Sequence, residues 1–146
     1  MIRAATPDDL PAIAELIRAL ADYERLADEV EWDHAQLAEA LFGADAVPST
    51  LVAEDGGDVV GIAIWYWTFS TFQARPGIWL EDLFVRPEYR GHGFGRALLE
   101  ALFDRAGRGR VEWAVLDWNE PSLRFYESLG ARPVANWVRY RWLASD

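Results

Sequence analysis

The chain has 146 residues, 51% of them hydrophobic and 14% aromatic, with a formal charge of −10 and no cysteine. That length is the size of one domain with a real core, and the composition excludes a disordered chain. The acidity, with all positive charge on arginine, excludes a nucleic-acid-binding face, and the lack of cysteine excludes disulfide frameworks, thiolate metal sites and an acyl-cysteine intermediate.

Ile2–Ala5 reads as a short first strand. Thr6-Pro7-Asp8-Asp9 supplies an N-cap, a proline in the first turn and two acids, and Leu10, Ile13, Leu16, Ile17 and Leu20 recur at helical spacing. An amphipathic helix is therefore expected from Pro7 to about Tyr23 or Arg25. After an acidic linker holding Glu24, Asp28, Glu29 and Glu31, Asp33-His34-Ala35-Gln36 resembles a capping box and opens a second helix that Gly43 stops.

Thr50–Glu54 is strand-like, Asp55-Gly56-Gly57-Asp58 suits a hairpin turn, and Val59–Phe69 returns as a long aromatic strand. Ser70–Gly77 reads as a loop, followed by the strand Ile78–Val85. A helix is expected from about Gly93 to Ala106, then a strand Arg110–Leu116 parallel to Ile78–Val85, because a helix joins the two. A turn at Asp117–Ser122 leads to a helix Leu123–Leu129 stopped by Gly130, and Arg132–Leu143 reads as a last strand or hairpin through Trp137–Trp142. No repeat or linker divides the chain, so residues 1–146 are expected to form one domain. No run has the length of a transmembrane helix, and Met1-Ile2-Arg3 enters polar sequence without a signal-peptide core, which predicts a cytoplasmic protein with no membrane partner.

The chemistry concentrates where the Ile78–Val85 strand meets a glycine-rich segment. Gly91, Gly93 and Gly95 lack Cβ atoms, and the start of a helix presents unpaired N–H groups, a combination that binds phosphate. The alternation G-x-G-x-G is not the dinucleotide fingerprint, and a chain without lysine has no Walker A loop. The segment Arg90-Gly91-His92-Gly93-Phe94-Gly95 instead resembles the R/Q-x-x-G-x-G/A signature of the GCN5-related N-acetyltransferases (GNAT). Tyr23-Glu24, Leu80-Glu81-Asp82 and Trp118-Asn119-Glu120-Pro121-Ser122-Leu123-Arg124-Phe125-Tyr126 are similar to the diamine acetyltransferase group, which includes spermidine/spermine and thialysine N-acetyltransferases.

The resemblance implies an α/β GNAT fold, with a mixed, mostly antiparallel central sheet flanked by helices. It implies acetyl-coenzyme A as co-substrate and direct transfer to a primary amine of a small molecule, of diamine, polyamine or lysine-like type. It assigns Arg90, Gly91, His92, Gly93, Phe94, Gly95 and Arg96 to the pyrophosphate. The backbone of Leu83, Phe84 and Val85 falls to the pantetheine arm and the oxyanion, with Asn119, Ser122 and Tyr126 as further coenzyme contacts. Tyr23, Glu24, Glu81 and Asp82 fall to the acceptor.

An alkylamine is protonated at neutral pH and attacks only as the free base. Glu81 matches the family's proposed base, and Tyr126 matches the acid at the departing sulfur. A regular strand would point Glu81 and Asp82 to opposite faces, so one of the two is expected in the cleft, and Glu81 is assigned there. The carboxylates near this strand also suit simple binding of a cation, Tyr126 also suits a core position beside Phe125, and Asn119 also suits a helix cap. Trp65, Trp67, Phe72 and Trp79 have the aromatic faces to hold an ammonium. Arg75, in the expected loop, would repel a polycation. His34 and His92 lack ligand spacing, so no metal is expected. Members of the group are commonly homodimers. Protein or N-terminal acetylation, and non-catalytic binding of acetyl-coenzyme A, are the alternative readings.

Overall fold

Two hairpins and a helical crossover build one sheet in which the strands follow the order of the chain. In the computed structural model, which describes residues 1–145, β1 (Ile2–Ala4), β2 (Ser49–Asp55), β3 (Asp58–Ser70) and β4 (Arg75–Val85) pair antiparallel in sequence order, and β5 (Val111–Glu112) runs parallel to β4. Helices α1 (Leu10–Tyr23) and α2 (His34–Phe42) lie between β1 and β2 in the chain, and α3 (Phe94–Ala106) makes the parallel crossover from β4 to β5. The mixed, mostly antiparallel sheet expected from the sequence is therefore the sheet observed. The chain divides into two compact units, one of residues Met1–Ala114 and one beginning at Val115.

In the first unit successive β3 residues face opposite sides of the sheet. Ile62 and Ile64 join Val52, Val59 and Phe84 in a buried cluster with Ile13 and Leu16 of α1. On the other side α3 packs on the sheet with Leu98, Leu99 and Leu102 fully buried, and a Cβ on Gly61 would crowd the Phe84 carbonyl oxygen and Val85 Cγ2 at 3.2 Å.

Local chemistry sets the helix starts. Asp33 accepts a hydrogen bond from the Gln36 amide and Gln36 Oε1 accepts one from the Asp33 amide, each at 2.8 Å, the capping box read from the sequence. At α1 the outcome differs, because Pro7–Asp9 forms a 3-10 turn and the helix proper begins at Leu10. Pro11 has no N–H for the Pro7 carbonyl and its ring would crowd it, so the turn closes instead through the Leu10 amide. Asp9, buried here, accepts from the Thr6 amide at 2.8 Å and from Arg3 at 2.8 and 2.9 Å. Those bonds tie β1 to the entry of α1, and the Arg3 guanidinium holds the Asp9 carboxyl below its usual range.

Four further expectations are corrected. The segment Ser70–Gly77 is not a loop: β3 and β4 stay paired out to Ser70 and Arg75, leaving only Thr71–Ala74 as the turn. Gly77 is needed for close approach, since a Cβ there would stand 2.9 Å from the Arg110 carbonyl oxygen. The fifth strand is Val111–Glu112 rather than Arg110–Leu116, because a bulge in β4 just past the Trp79–Glu112 pair re-aims the strand that it would have followed. In the second unit the expected strand or hairpin at Arg132–Leu143 is absent, residues 131–145 forming no regular element. That unit's helix, α4 (Glu120–Ser128), starts three residues before the expected Leu123, with Pro121 in its first turn. Among the described residues no helix is long and apolar enough to cross a membrane.

Candidate active site

The loop after β4 has the geometry of an anion site. A 3-10 turn at Pro87–Tyr89 delivers the chain to Arg90, after which Gly91 and Gly93 adopt φ of 80° and 86°. A Cβ on either would meet nothing within 4 Å, so the left-handed backbone, not crowding, is what calls for glycine. Gly93 caps α3, and no side chain bonds to that end of the helix; its first turn also carries no acid. The amides of Phe94, Gly95 and Arg96 therefore have no helical carbonyl to bond, and they add to the positive end of the helix dipole.

The side chains of the loop turn aside from that opening. Arg90 Nε donates to the Val85 carbonyl at 3.0 Å, and its guanidinium lies 5.6 Å from the Tyr23 ring and 5.2 Å from the Phe84 ring. His92 Nδ1 is 3.1 Å from the Tyr89 carbonyl oxygen, which puts the ring proton on Nδ1. Arg96 Nε donates to Glu100 one turn on at 2.7 Å, and Tyr89 meets Phe94 edge to face.

Beside the loop, β4 offers a backbone edge. It is paired with β3 along its length, but β5 accompanies it only at Ile78 and Trp79. From Glu81 through Leu83, Phe84 and Val85 the second edge has no strand beside it among the described residues. Phe84 anchors this stretch in the core, and Leu83 and Val85 are half-buried.

Glu81 is the extra residue of the bulge: Ile64 pairs with Asp82 and Trp65 with Leu80. The regular alternation expected for Glu81 and Asp82 is thereby broken. Asp82 stands opposite Ile64 and on the same side as Phe84, the side that α1 covers, while Glu81 is exposed and its Oε2 accepts from Trp79 Nε1 at 2.9 Å. Burial, then the charge of Glu81, then that of Glu24 push the Asp82 carboxyl up to about 6. Burial alone raises the Glu24 carboxyl. Glu24, Glu81 and Asp82 thus form one cluster of interacting carboxylates at the C-terminal end of α1, and Tyr23 next to it touches the glycine-loop arginine. Among the described residues no group of three or more His, Asp or Glu side chains is placed to hold a metal ion.

The remaining predicted site residues belong to the second unit. Asn119 is buried and caps α4, its Oδ1 accepting from the Ser122 amide at 3.4 Å. Tyr126 lies on the same helix with its ring 5.5 Å from that of Phe125, and its carbonyl accepts from Leu129 and Ala131.

Two features escape a reading of the sequence. Asp82 is the carboxylate whose protonation the fold changes most, and Trp79 holds the one beside it; neither carries a local signal, because both follow from the bulge. Arg75, read as a repulsive charge near the acceptor, is at the opposite end of β4 with Nη1 bonded to the Arg108 carbonyl. Seven residue steps along the strand, roughly 24 Å at about 3.4 Å each, separate it from Asp82, well beyond a Debye length of about 8 Å. Its charge is therefore screened from the carboxylates at Glu81 and Asp82.

The chain is similar to known proteins in sequence and in fold. A family model described as "Acetyltransferase (GNAT) family" matches residues 13–131. The chain is 38% identical over 145 residues to the thialysine N-epsilon-acetyltransferase of Bos taurus, covering 92% of this chain and 85% of that protein. It is 32% identical over 184 residues to an L-ornithine N5-acetyltransferase of Arabidopsis thaliana, covering 93% and 81%. In fold it is similar to the crystal structure of a possible acetyltransferase from Clostridium difficile 630, with a TM-score of 0.82 at 22% identity over 100% of this chain and 98% of the other.

Proposed function

Because this chain belongs to the acetyltransferase (GNAT) family and is an acetyltransferase, we propose that it moves the acetyl group of acetyl-coenzyme A directly to a primary amine of a small molecule, both bound at once. The acceptor we favour is an amine on an amino-acid side chain, in keeping with the thialysine and ornithine enzymes among its relatives. Diamines and polyamines are the second class. The observation that carries this reading is the carboxylate cluster of Glu24, Glu81 and Asp82 standing beside a glycine loop with open amides. Such a cluster attracts an ammonium and takes its proton, and such a loop takes a diphosphate.

The loop's fit to a coenzyme diphosphate is supported by its left-handed Gly91 and Gly93 and by the uncapped start of α3. When bound, the coenzyme supplies an activated thioester. The backbone from Leu83 to Val85, whose groups alternate between β3 and the open edge and whose Val85 carbonyl is held by Arg90, suits an arm rich in amides, as an added strand would. Glu81 is the proposed base, acting directly or through a water, and Trp79 fixes its orientation. Asp82 assists it, because a carboxyl raised to about 6 accepts and releases a proton close to neutral pH. Tyr126, by its place in the Trp118–Tyr126 motif, is the proposed acid at the sulfur, and Asn119 and Ser122 are proposed coenzyme contacts. Tyr23 and Glu24 are proposed to border the acceptor. The same reading makes the protein cytoplasmic and homodimeric.

The test is thiol release from acetyl-coenzyme A with thialysine, lysine, ornithine, putrescine and spermidine, for the native chain and for Glu81→Gln and Tyr126→Phe. Turnover is expected with side-chain amines of amino acids. It should fall at least about 100-fold in each variant, the usual worth of a general acid or base. A native chain that binds acetyl-coenzyme A and turns over none of these amines would sink the small-amine assignment.

A further inference from the structure

The β3–β4 hairpin outgrows the sheet. β2 pairs with β3 only as far as Ser49 opposite Trp65, and Pro48, which has no N–H to give, precedes that pair. β3 runs on to Ser70 with β4 alone beside it, so from Trp67 to Ser70 its other edge has no strand next to it among the described residues. Trp65, Trp67 and Phe69 share one face of β3 by alternation. Trp65 is buried and meets Trp67 edge to face at 5.2 Å, whereas Trp67 is 52% exposed, Phe69 65%, and Phe72 at the turn 98%. An unpaired edge flanked by bare aromatics is a surface that soluble proteins cover or disarm with charge.

This arm carries almost no charge. From Val59 to Leu80 there is no carboxylate and a single arginine, Arg75, whose guanidinium is already bonded to the Arg108 carbonyl, although the whole chain carries −10. Two such acidic bodies repel one another over most of their surfaces and least here.

We propose that the arm is the contact between two copies of this chain, the free β3 edges running antiparallel across a two-fold axis. A strand placed antiparallel to itself is self-complementary, as a closed two-fold interface requires. Trp67, Phe69 and Phe72 from both copies offer apolar area on the order of 900 Å², close to the ~1,000 Å² of a specific interface before any backbone pairing is counted. This gives the homodimer a surface and is independent of which amine is acetylated.

The experiment is sedimentation velocity of the full chain and of Trp67→Lys/Phe69→Lys, with circular dichroism to confirm folding. The native chain should sediment at twice its 16.6 kDa mass. The double variant should dissociate with a dissociation constant raised at least about 100-fold, as expected when aromatic anchors at the centre of an interface are lost. Phe72→Lys, at an almost fully exposed turn, repeats the test should the double variant fold poorly. A native monomer overturns the proposal, as does a dimer that survives these changes. Dissociation by Trp137→Glu/Tyr140→Glu in the second unit, with the arm variants still dimeric, moves the interface to the C-terminal segment and equally overturns it. Thiol release measured on the same samples reports separately on catalysis.

Discussion

Asp82 shows how one residue can carry a structural cost and a chemical use together. Its carboxyl is raised from 3.8 to about 6 by burial and by its acidic neighbours, so the folded protein holds the proton more tightly than the unfolded chain does. The stability this confers is present in full below pH 3.8 and is lost as the pH rises through about 6. At pH 8 the buried charge is a net cost. Asp82→Asn is therefore expected to stabilise the protein at pH 8 by about 3 kcal/mol, with the gain vanishing near pH 4, as read from urea unfolding at the two values. The same substitution should lower kcat/KM and move its acid limb, which is expected near pH 6 in the native chain. An unchanged limb would assign the titrating group elsewhere.

At the scale of elements, the turn from β4 into α3 depends on backbone shape more than on side chains. Gly93 caps α3 at φ 86° in open space, so an added methyl meets no atom but must enter the left-handed region, at about 1–2 kcal/mol. Gly93→Ala is expected to lose about that much stability. Acetyl-coenzyme A affinity should fall at least about tenfold, since 1.4 kcal/mol of lost preorganisation at the diphosphate already has that effect. Calorimetric titration against Ala97→Gly, a change inside the helix, separates the two effects: the control loses stability without a comparable loss of affinity. Equal affinity losses in the two variants would count against the loop as the diphosphate site. Of this element the sequence shows the glycines and the helix start, because caps and left-handed turns are matters of neighbouring residues. The bulge at Glu81 is another matter, since an extra residue in one strand is defined only by the partner strand that it mismatches.

For the whole molecule the charge of −10 acts on the two proposed substrates with opposite sign. A cationic amine is drawn toward the protein and an anionic coenzyme is repelled, and raising ionic strength from 0.01 to 0.15 M shortens the Debye length from about 30 to about 8 Å. Added salt over that range is expected to lower kcat/KM for the amine severalfold while strengthening acetyl-coenzyme A binding, both measurable by steady-state kinetics and titration. A parallel loss for both substrates would show that net charge plays no part in steering.

The sequence by itself determined what short-range chemistry decides. The Asp33–Gln36 cap, the helix after the glycine loop, the strands around Asp55–Asp58 and the family to which Trp118–Tyr126 is similar were all legible, since each depends on residues a few positions apart. Tertiary structure decided the rest. The length of the β3–β4 arm, the shortness of β5 and the irregular chain after Ala131 depend on which edges find partners. Of what sets the proton affinity of Asp82, only the adjacent Glu81 is visible along the chain; burial, the largest cause, and Glu24, far away in sequence, act through space.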